Sequence, residues 1–494
     1  MLDLHSAAGP GRKPSAPGGG LVLGVLLSAM FIVQFDFFVV NVAAPSLESD
    51  LHAGAGMLEL VVGGYAFAFA GGMITGGRLG DIYGHRRLFV IGMAAFGLSS
   101  LLCGITATPG QLVAARLVQG AAGALMVPQV LAVITAHFSP AAKPRALAGY
   151  GMASGLGSIA GQVLGGGLLE LHLFVPGWRL IFLINVPVCA VAAVLAARHL
   201  PPPVTGRNVG LDPVGAVGVC LALVLVLLPL SLGRTEGWPV WSWICLAAAA
   251  PVAVGTLLWE RALTRGSGSP VLDLTLFRSS SFRSGMIAGI AFQLYFGSFM
   301  FTLTLLLQSG LGLSPLGAGL VFAPMGVLFA GSSLLGRRLA DRFGTRVLIA
   351  GSAVTAAGLL LLAVLLHGSG PDVGVPLVVV CLCLVGTGNG LVLPALIGAA
   401  LVKVRPEKAG AASGVLTTTQ QFASSAGVAV VGATFFALLG EAPSAQDYAR
   451  AMTSSALIDL ALVVAVMGMC WIIRRIAGSA RPGTAHVRRG DAST

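Results

Sequence analysis

The chain has 494 residues, of which 56% are hydrophobic and only 10% charged, with a formal net charge of +11. About a quarter of the residues of a water-soluble globule are charged, so this composition excludes one and implies a chain dissolved in lipid. At about 20 apolar residues per span, the length accommodates fourteen helices with short loops and leaves no room for a sizeable soluble domain.

In chain order, residues 1–20 are rich in Gly, Pro and Ser and read as a disordered tail. The apolar run after them is too long for a signal h-region, and no A-x-A site closes it, so it reads as a first span. Apolar runs between polar breaks predict spans near 21–43, 58–78, 88–106, 111–136, 146–169, 179–198, 213–232, 241–259, 284–307, 316–336, 347–367, 374–400, 409–438 and 452–473. The even-numbered connections and the two tails hold 25 of the 29 Lys and Arg. By the positive-inside rule both termini are cytoplasmic, and an even number of spans follows independently of hydropathy. The expected location is the cell (inner) membrane. The seven cysteines all fall in apolar runs, without a C-x-x-C or a nearby His, and read as small hydrophobes.

An internal repeat runs through this pattern. After the second span the chain reads G-R-L-G-D-I-Y-G-H-R-R (77–87), and after the tenth R-R-L-A-D-R-F-G-T-R (337–346). Leu79, Asp81, Gly84 and Arg86 match Leu339, Asp341, Gly344 and Arg346 at one offset of 260, and Gly120 and Pro128 match Gly386 and Pro394 at 266. The fold class expected is all-α and integral to the membrane: two parallel six-helix bundles, residues 21–199 and 283–475. Helices 7 and 8 with their linkers (200–282) are inserted between them, and a cytoplasmic tail (476–494) closes the chain. Parallel repeats with a site between them at mid-membrane are a transporter plan.

These residues resemble a family, the fourteen-helix drug:proton antiporters of the major facilitator superfamily (EmrB/QacA-like). F-D-F-F-V-V-N-V-A-A-P (35–45) is similar to the family's D-x-T-x-x-N-V-A-x-P, with Phe38 where Thr is usual. The loop from Gly77 to Arg87, R-L-V-Q-G-A-A-G-A (116–124), W-R-L-I-F-L-I-N-V-P (178–187) and L-L-Q-S-G-L-G-L-S-P-L-G-A-G (306–319) match further motifs. The fifth-helix antiporter motif departs from pattern: G-S-I-A-G-Q-V-L-G-G (157–166) keeps the glycines but has Gln162 in place of proline. The resemblance covers about residues 20 to 475. It implies proton-coupled antiport of small amphipathic molecules, such as drugs, antibiotics or secondary metabolites, by alternating access.

Asp36 lies about sixteen residues into the first span, where an Asp costs about 2.5–3.5 kcal/mol on insertion scales. It reads either as a proton-carrying carboxyl or as a structural hydrogen-bonding group. Arg116, within the fourth span, reads either as its ionic partner or as a cation snorkelling to the headgroups. Asp459, about seven residues into the last span, is a second proton or cation candidate, or an interfacial acid. The resemblance assigns the loops holding Gly77, Asp81, Gly84, Arg86, Asp341, Gly344 and Arg346 to a cytoplasmic latch, with Asp against a helix N-terminus and Arg against acids. Gln34, Phe37, Asn41, Tyr65, Gln119, Gln162, Gln308 and Asn389 are candidates for a polar, aromatic-walled substrate cavity, with Gln293, Gln420 and Gln421 as further amides. No enzymatic, metal-binding or cofactor constellation is present: the histidines are scattered, and neither G-x-x-x-x-G-K-[ST] nor H-E-x-x-H occurs. The expected partners are protons, a small-molecule substrate and the bilayer, with no nucleic acid. Proton symport or facilitated uptake by the same fold is the competing transport reading, slightly favoured by Gln162. A non-transporting membrane sensor is a third, disfavoured by the short loops.

The charge pattern generates a topology test. With all native cysteines replaced, a single cysteine at Ser444 should react with an impermeant thiol reagent from outside the cell and one at Ser479 only from the cytoplasm. The reverse pattern would overturn the assignment.

Overall fold

The computed structural model describes residues 19–53, 55–139, 141–171, 176–201, 212–233, 237–265, 274–401, 404, 409–440 and 443–479, and these are helical throughout apart from short connections. The predicted tail 1–20 therefore lies almost wholly outside the described residues. The helices are α1 (Gly19–Leu51), α2 (Ala55–Tyr83), α3 (His85–Ile105), α4 (Pro109–His137), α5 (Lys143–Glu170), α6 (Gly177–Leu183), α7 (Asn185–His199), α8 (Pro213–Leu232), α9 (Val240–Arg265), α10 (Ser280–Leu305), α11 (Pro315–Phe343), α12 (Arg346–Ser369), α13 (Val375–Leu401), α14 (Ala409–Leu439) and α15 (Ala445–Ser479).

Local chemistry sets the ends. The Thr108 side chain accepts from the Gln111 N–H at the start of α4, Ser279 from Phe282 at α10 and Ser314 from Gly317 at α11. Pro109 and Pro315 then occupy first-turn positions, where a missing N–H costs nothing. The tight turns α2–α3 and α11–α12 are made at Gly84 (φ 92°) and Gly344 (φ 58°), the matched glycines of the repeat, in a region that side-chain-bearing residues avoid. The predicted sixth span is two helices, α6 and α7, with a turn at Ile184. Pro187 explains the break, because it has no N–H for the carbonyl four residues back at Leu183. At the other end of the chain α15 continues to Ser479, so the tail expected from 476 begins as helix.

Twelve helical segments among the described residues are long and apolar enough to cross a membrane. Two predicted spans fall outside this set. In α8 the described apolar stretch is confined to Val214–Val226, and in α2 the side chains of Glu59 and Val62 are outside the described set.

The packing forms two groups. In the first, α4 packs against α2 and α3, α1 against α5, and α3 against α7; in the second, α13 packs against α11 and α12, α10 against α14, and α15 against α10 and α12. Two seams join the groups, α2 against α14 and α5 against α11, with α4 reaching α14 and α13 reaching α5. The hairpin α8–α9 lies outside both groups, and α8 rests on α2 and α14.

Close approach at glycine makes this packing, and the repeat makes it twice. A Cβ on Gly120 of α4 would collide with the Tyr65 carbonyl of α2; the repeat-equivalent Gly386 of α13 stands against the Met325 carbonyl of α11 in the same way. Gly161 of α5 likewise meets the Phe35 carbonyl of α1, as Gly427 of α14 meets the Leu294 carbonyl of α10. Without a hydrophobic driving force between helices in lipid, such backbone contact is what holds them.

Gly161→Val should therefore lower the melting temperature in detergent sharply, because an added Cβ would lie 2.8 Å from the Phe35 carbonyl oxygen, and overpacking of this kind costs about 1–3 kcal/mol. Gly167→Ala, on the same helix, meets only Leu316 Cδ1 at 3.8 Å and should leave the melting temperature unchanged or slightly raised. Equal losses in the two variants would refute backbone contact as the basis of the packing.

Candidate functional site

Asp36 and Arg116 are each fully buried, inside the first group of helices. The Arg116 Nη1 atom forms an ion pair and hydrogen bond with Asp36 Oδ2. It also donates to Gln119 Oε1 (2.7 Å), while Nε donates to the Val61 carbonyl of α2 at 3.2 Å. The other carboxylate oxygen, Asp36 Oδ1, accepts from Gln119 Nε2 and from Asn185 Nδ2, both at 3.0 Å. Those two amides also share Ser100 Oγ of α3, at 3.0 and 3.1 Å. The Tyr65 ring lies under the guanidinium, 4.2 Å from its carbon to the ring centroid, and adds a cation–π attraction at a fully buried position.

Each helix contributes for a local reason. Gln119 follows Arg116 by three residues and so shares its face of α4. Asn185 opens α7 just after the break at Ile184, which turns its amide inward. Complete burial rules out the snorkelling reading of Arg116. Chemically, guanidinium is not deprotonated in proteins and the amides do not titrate, so within the ion pair and its two amides the carboxylate of Asp36 is the group that can take up a proton.

The halves enclose a second polar region. Met30, Gln34 and Tyr150 of the first group face Gln293, Gln420 and Gln421 of the second around a cavity of about 10 Å³, room for about one water molecule. Gln34 Nε2 donates weakly to Ser158 (3.4 Å), but its Oε1 and the Tyr150 hydroxyl are buried with no protein hydrogen bond. The lining carries no formal charge.

Of the residues expected in the substrate cavity, Gln34 lines this void together with the amides Gln293, Gln420 and Gln421. The others are placed elsewhere. Tyr65 and Gln119 belong to the ion-pair cluster, and Phe37 packs on the rings of Phe38 and Tyr65 at 5.2 and 6.1 Å. Asn389 is buried within the second group, bonded to Tyr295 (2.9 Å) and Thr355 (3.1 Å). Gln308 is half-buried in a π-turn at Leu306–Gly310. Gln162 bridges the halves instead, donating to Thr304 Oγ1 of α10 at 3.1 Å. The side chains of Asn41 and Asp341 lie outside the described residues. Apart from the half-buried Gln308, these described amides are buried, but they reach different interiors. Asn185 and Ser100 were missed as site residues, although each is a polar residue in an otherwise apolar run.

At the α2–α3 turn, Asp81 lies 3.9 Å from Arg78 and 3.6 Å from His85, with Gly77 buried one turn earlier. Arg86 donates to the Ala197 carbonyl at the end of α7. It caps a helix terminus in its own half rather than meeting an acid as the family latch would have it. Arg346, at the equivalent place in the second half, is exposed at the start of α12.

With this geometry in view, comparison with known proteins is decisive about the family. The sequence profile described as Major Facilitator Superfamily matches residues 26–428. The chain belongs to that superfamily. It is 37% identical over 441 residues to a protein named as the probable actinorhodin transporter of Streptomyces coelicolor, covering 89% of this chain and 76% of that one. It is 33% identical over 503 residues to the cephamycin export protein CmcT of Amycolatopsis lactamdurans, covering 99% of each. Among solved structures, a bacterial homologue of the human lysosomal transporter Spinster superposes with a TM-score of 0.61 at 16% identity, over 95% of this chain and 100% of that one; this likeness concerns fold. The protein is a multi-pass membrane transporter, not an enzyme.

The cluster predicts an asymmetry. An Asp left without its cation can take up a proton, whereas an Arg left without its anion stays charged. Asp36→Asn should therefore lower the melting temperature more than Arg116→Gln, and the double variant should recover part of the loss. Breaking a buried pair from one side typically costs about 3–5 kcal/mol. Strictly additive losses in the double variant would contradict direct pairing.

Proposed function

We propose that this transporter is a proton-coupled antiporter that exports small amphipathic molecules, of the antibiotic or secondary-metabolite kind, across the cell membrane by alternating access. The observation that carries the reading is the buried Asp36–Arg116 pair, a proton acceptor whose protonation cancels the charge that holds an unneutralisable cation. The names of the relatives, among them actinorhodin, cephamycin and tetracenomycin C exporters or resistance proteins, support export and the substrate class. In this reading the chain spans the membrane fourteen times with both termini cytoplasmic. Residues 21–199 and 283–475 are the moving halves, 200–282 the insert, and the α2–α3 and α11–α12 turns, with Asp81, Arg86, Asp341 and Arg346, the cytoplasmic gate.

Coupling runs through contact. A proton on Asp36 removes the anion from Arg116, which then leans on Gln119, the Val61 carbonyl and the Tyr65 ring. Tyr65 stacks on Phe69 at 5.6 Å, and Phe69 lines the void between the halves. Gln34, two residues before Asp36 on the same helix, lines it too. Protonation and substrate thus compete for the arrangement of one wall, the differential interaction that a population shift requires. The amide and aromatic lining offers hydrogen bonds and ring contact to a polyfunctional molecule with polar groups on an apolar frame.

The double variant Asp36→Asn, Arg116→Gln, which leaves no bare buried charge, carries the test. In proteoliposomes supplied with actinorhodin, tetracenomycin C or a cephamycin, the wild type should drive uphill flux with a pH gradient and release protons when substrate is added. The variant should release fewer protons and lose most of the uphill flux, while keeping downhill exchange. Wild-type uphill flux and proton release in the variant would make the pair structural. Flux in the direction of the proton would instead establish symport.

A further inference from the structure

The second half holds a carboxyl that the mechanism above does not use. Asp459, on α15, is fully buried, so its placement is not interfacial. Its Oδ1 lies 2.6 Å from Ser298 Oγ of α10, and Oδ2 is buried with no hydrogen-bond partner. Among the described residues no basic side chain pairs with it. The titratable group facing it is Tyr295 of α10, itself bonded to Asn389; α14 has no ionisable residue, and those of α12, Arg346 and His367, stand at its two ends.

Proton counting at Ser298 decides the state of this acid. The hydroxyl has one proton and two lone pairs, and it lies 2.8 Å from the Leu294 carbonyl and 2.9 Å from that of Tyr295. If Asp459 were ionised, Ser298 would have to donate to it, and a charged oxygen would remain buried without any donor. If Asp459 is neutral, its O–H donates to Ser298 Oγ, Ser298 donates to a backbone carbonyl, and Oδ2 is left as an uncharged acceptor. An unmade bond to a neutral acceptor costs far less than one to a buried charge.

The repeat shows what this arrangement corresponds to. In the first half, α1 meets the last helix through Asp36 and Asn185. In the second half, the equivalents α10 and α15 meet through Ser298 and Asp459, so the carboxyl has moved from the first helix of the bundle to the last. At the repeat offset of 266, Arg116 and Gln119 fall on Leu382 and Val385, both buried and apolar. The second half has kept the carboxyl and lost the cation.

We propose that Asp459 is a second proton-binding site, held as the neutral acid in this conformation, and that each cycle moves a proton on it in addition to the one on Asp36. The coupled part of this inference rests on the antiporter reading; the protonated acid does not.

Infrared spectra of the purified protein at neutral pH should contain the C=O stretch of a neutral buried carboxylic acid that disappears in Asp459→Asn. Ser298→Ala, which removes only the acceptor, should keep that band and move it to higher frequency. Spectra at neutral pH in which neither variant changes this band would show Asp459 ionised and overturn the proposal. In proteoliposomes the number of protons exchanged per substrate should fall by one in Asp459→Asn, with uphill flux retained through Asp36. An unchanged stoichiometry would overturn the second proton even where the band is found. Substrate flux without proton flux in the wild type would overturn the antiporter reading and the second proton together, leaving the band to report on the acid alone.

Discussion

A guanidinium cannot give up its charge, and in hydrocarbon it cannot remain without an anion. Arg116 therefore commits everything around it. Asp36 must face it from α1, and the spare oxygen of that carboxylate must be satisfied in turn, which brings in Gln119 and Asn185. These two amides converge on Ser100 of α3, and Tyr65 of α2 closes the flat side of the guanidinium. Helices α1, α2, α3, α4 and α7 are thus positioned by a single charge. Loss of either charge would leave polar groups on all five helices to find new partners at once.

Much of this was readable from the chain. Twelve of the fourteen predicted spans, the repeat and one of the two readings of Arg116, as the ionic partner of Asp36, came from hydropathy, charge placement and motif. What could not be read was rotation about each helix axis. In a water-soluble protein the polar face of a helix points outward and the apolar face inward, so sequence fixes orientation. Here the lipid-facing and core-facing sides are both apolar, as Val118, exposed, and Val127, fully buried, illustrate on one helix. Gln34 and Gln119 looked alike as interior amides, yet one faces the void between the halves and the other a buried charge. Ser100 carried no signal beyond being polar in an apolar run. Asn185 carried one, inside the quoted motif of the sixth span, and its meaning depended on the turn at Ile184 that the hydropathy of a continuous run conceals.

The glycines tell the same story from the backbone side. Gly120 and Gly386 were matched by sequence as an echo; in three dimensions each is the place where the fourth helix of its bundle touches the backbone of the second. The repeat is therefore conserved as contact geometry, while the side chains that confer chemistry have diverged: Arg116 has no counterpart cation, and the acid has changed helix. Gln162, where the antiporter motif would have proline, does not kink α5 but ties it to Thr304 across the divide. The two halves share a scaffold and differ in how they satisfy a buried carboxyl.

The inserted hairpin breaks the symmetry of the scaffold in one further respect. Behind the α5–α11 seam stands α13, and behind the α2–α14 seam stands its counterpart α4; α8 also packs on the latter seam, and among the described residues no helix outside the two groups packs on the former in the same way. Cys220 of α8 sits so close to Gly71 of α2 that a Cβ there would lie 2.7 Å from its sulfur. Should the halves part as proposed, the α2–α14 opening would be roofed by protein and the α5–α11 opening would not. A molecule dissolved in the membrane would meet a doorway on one flank of the transporter and a wall on the other.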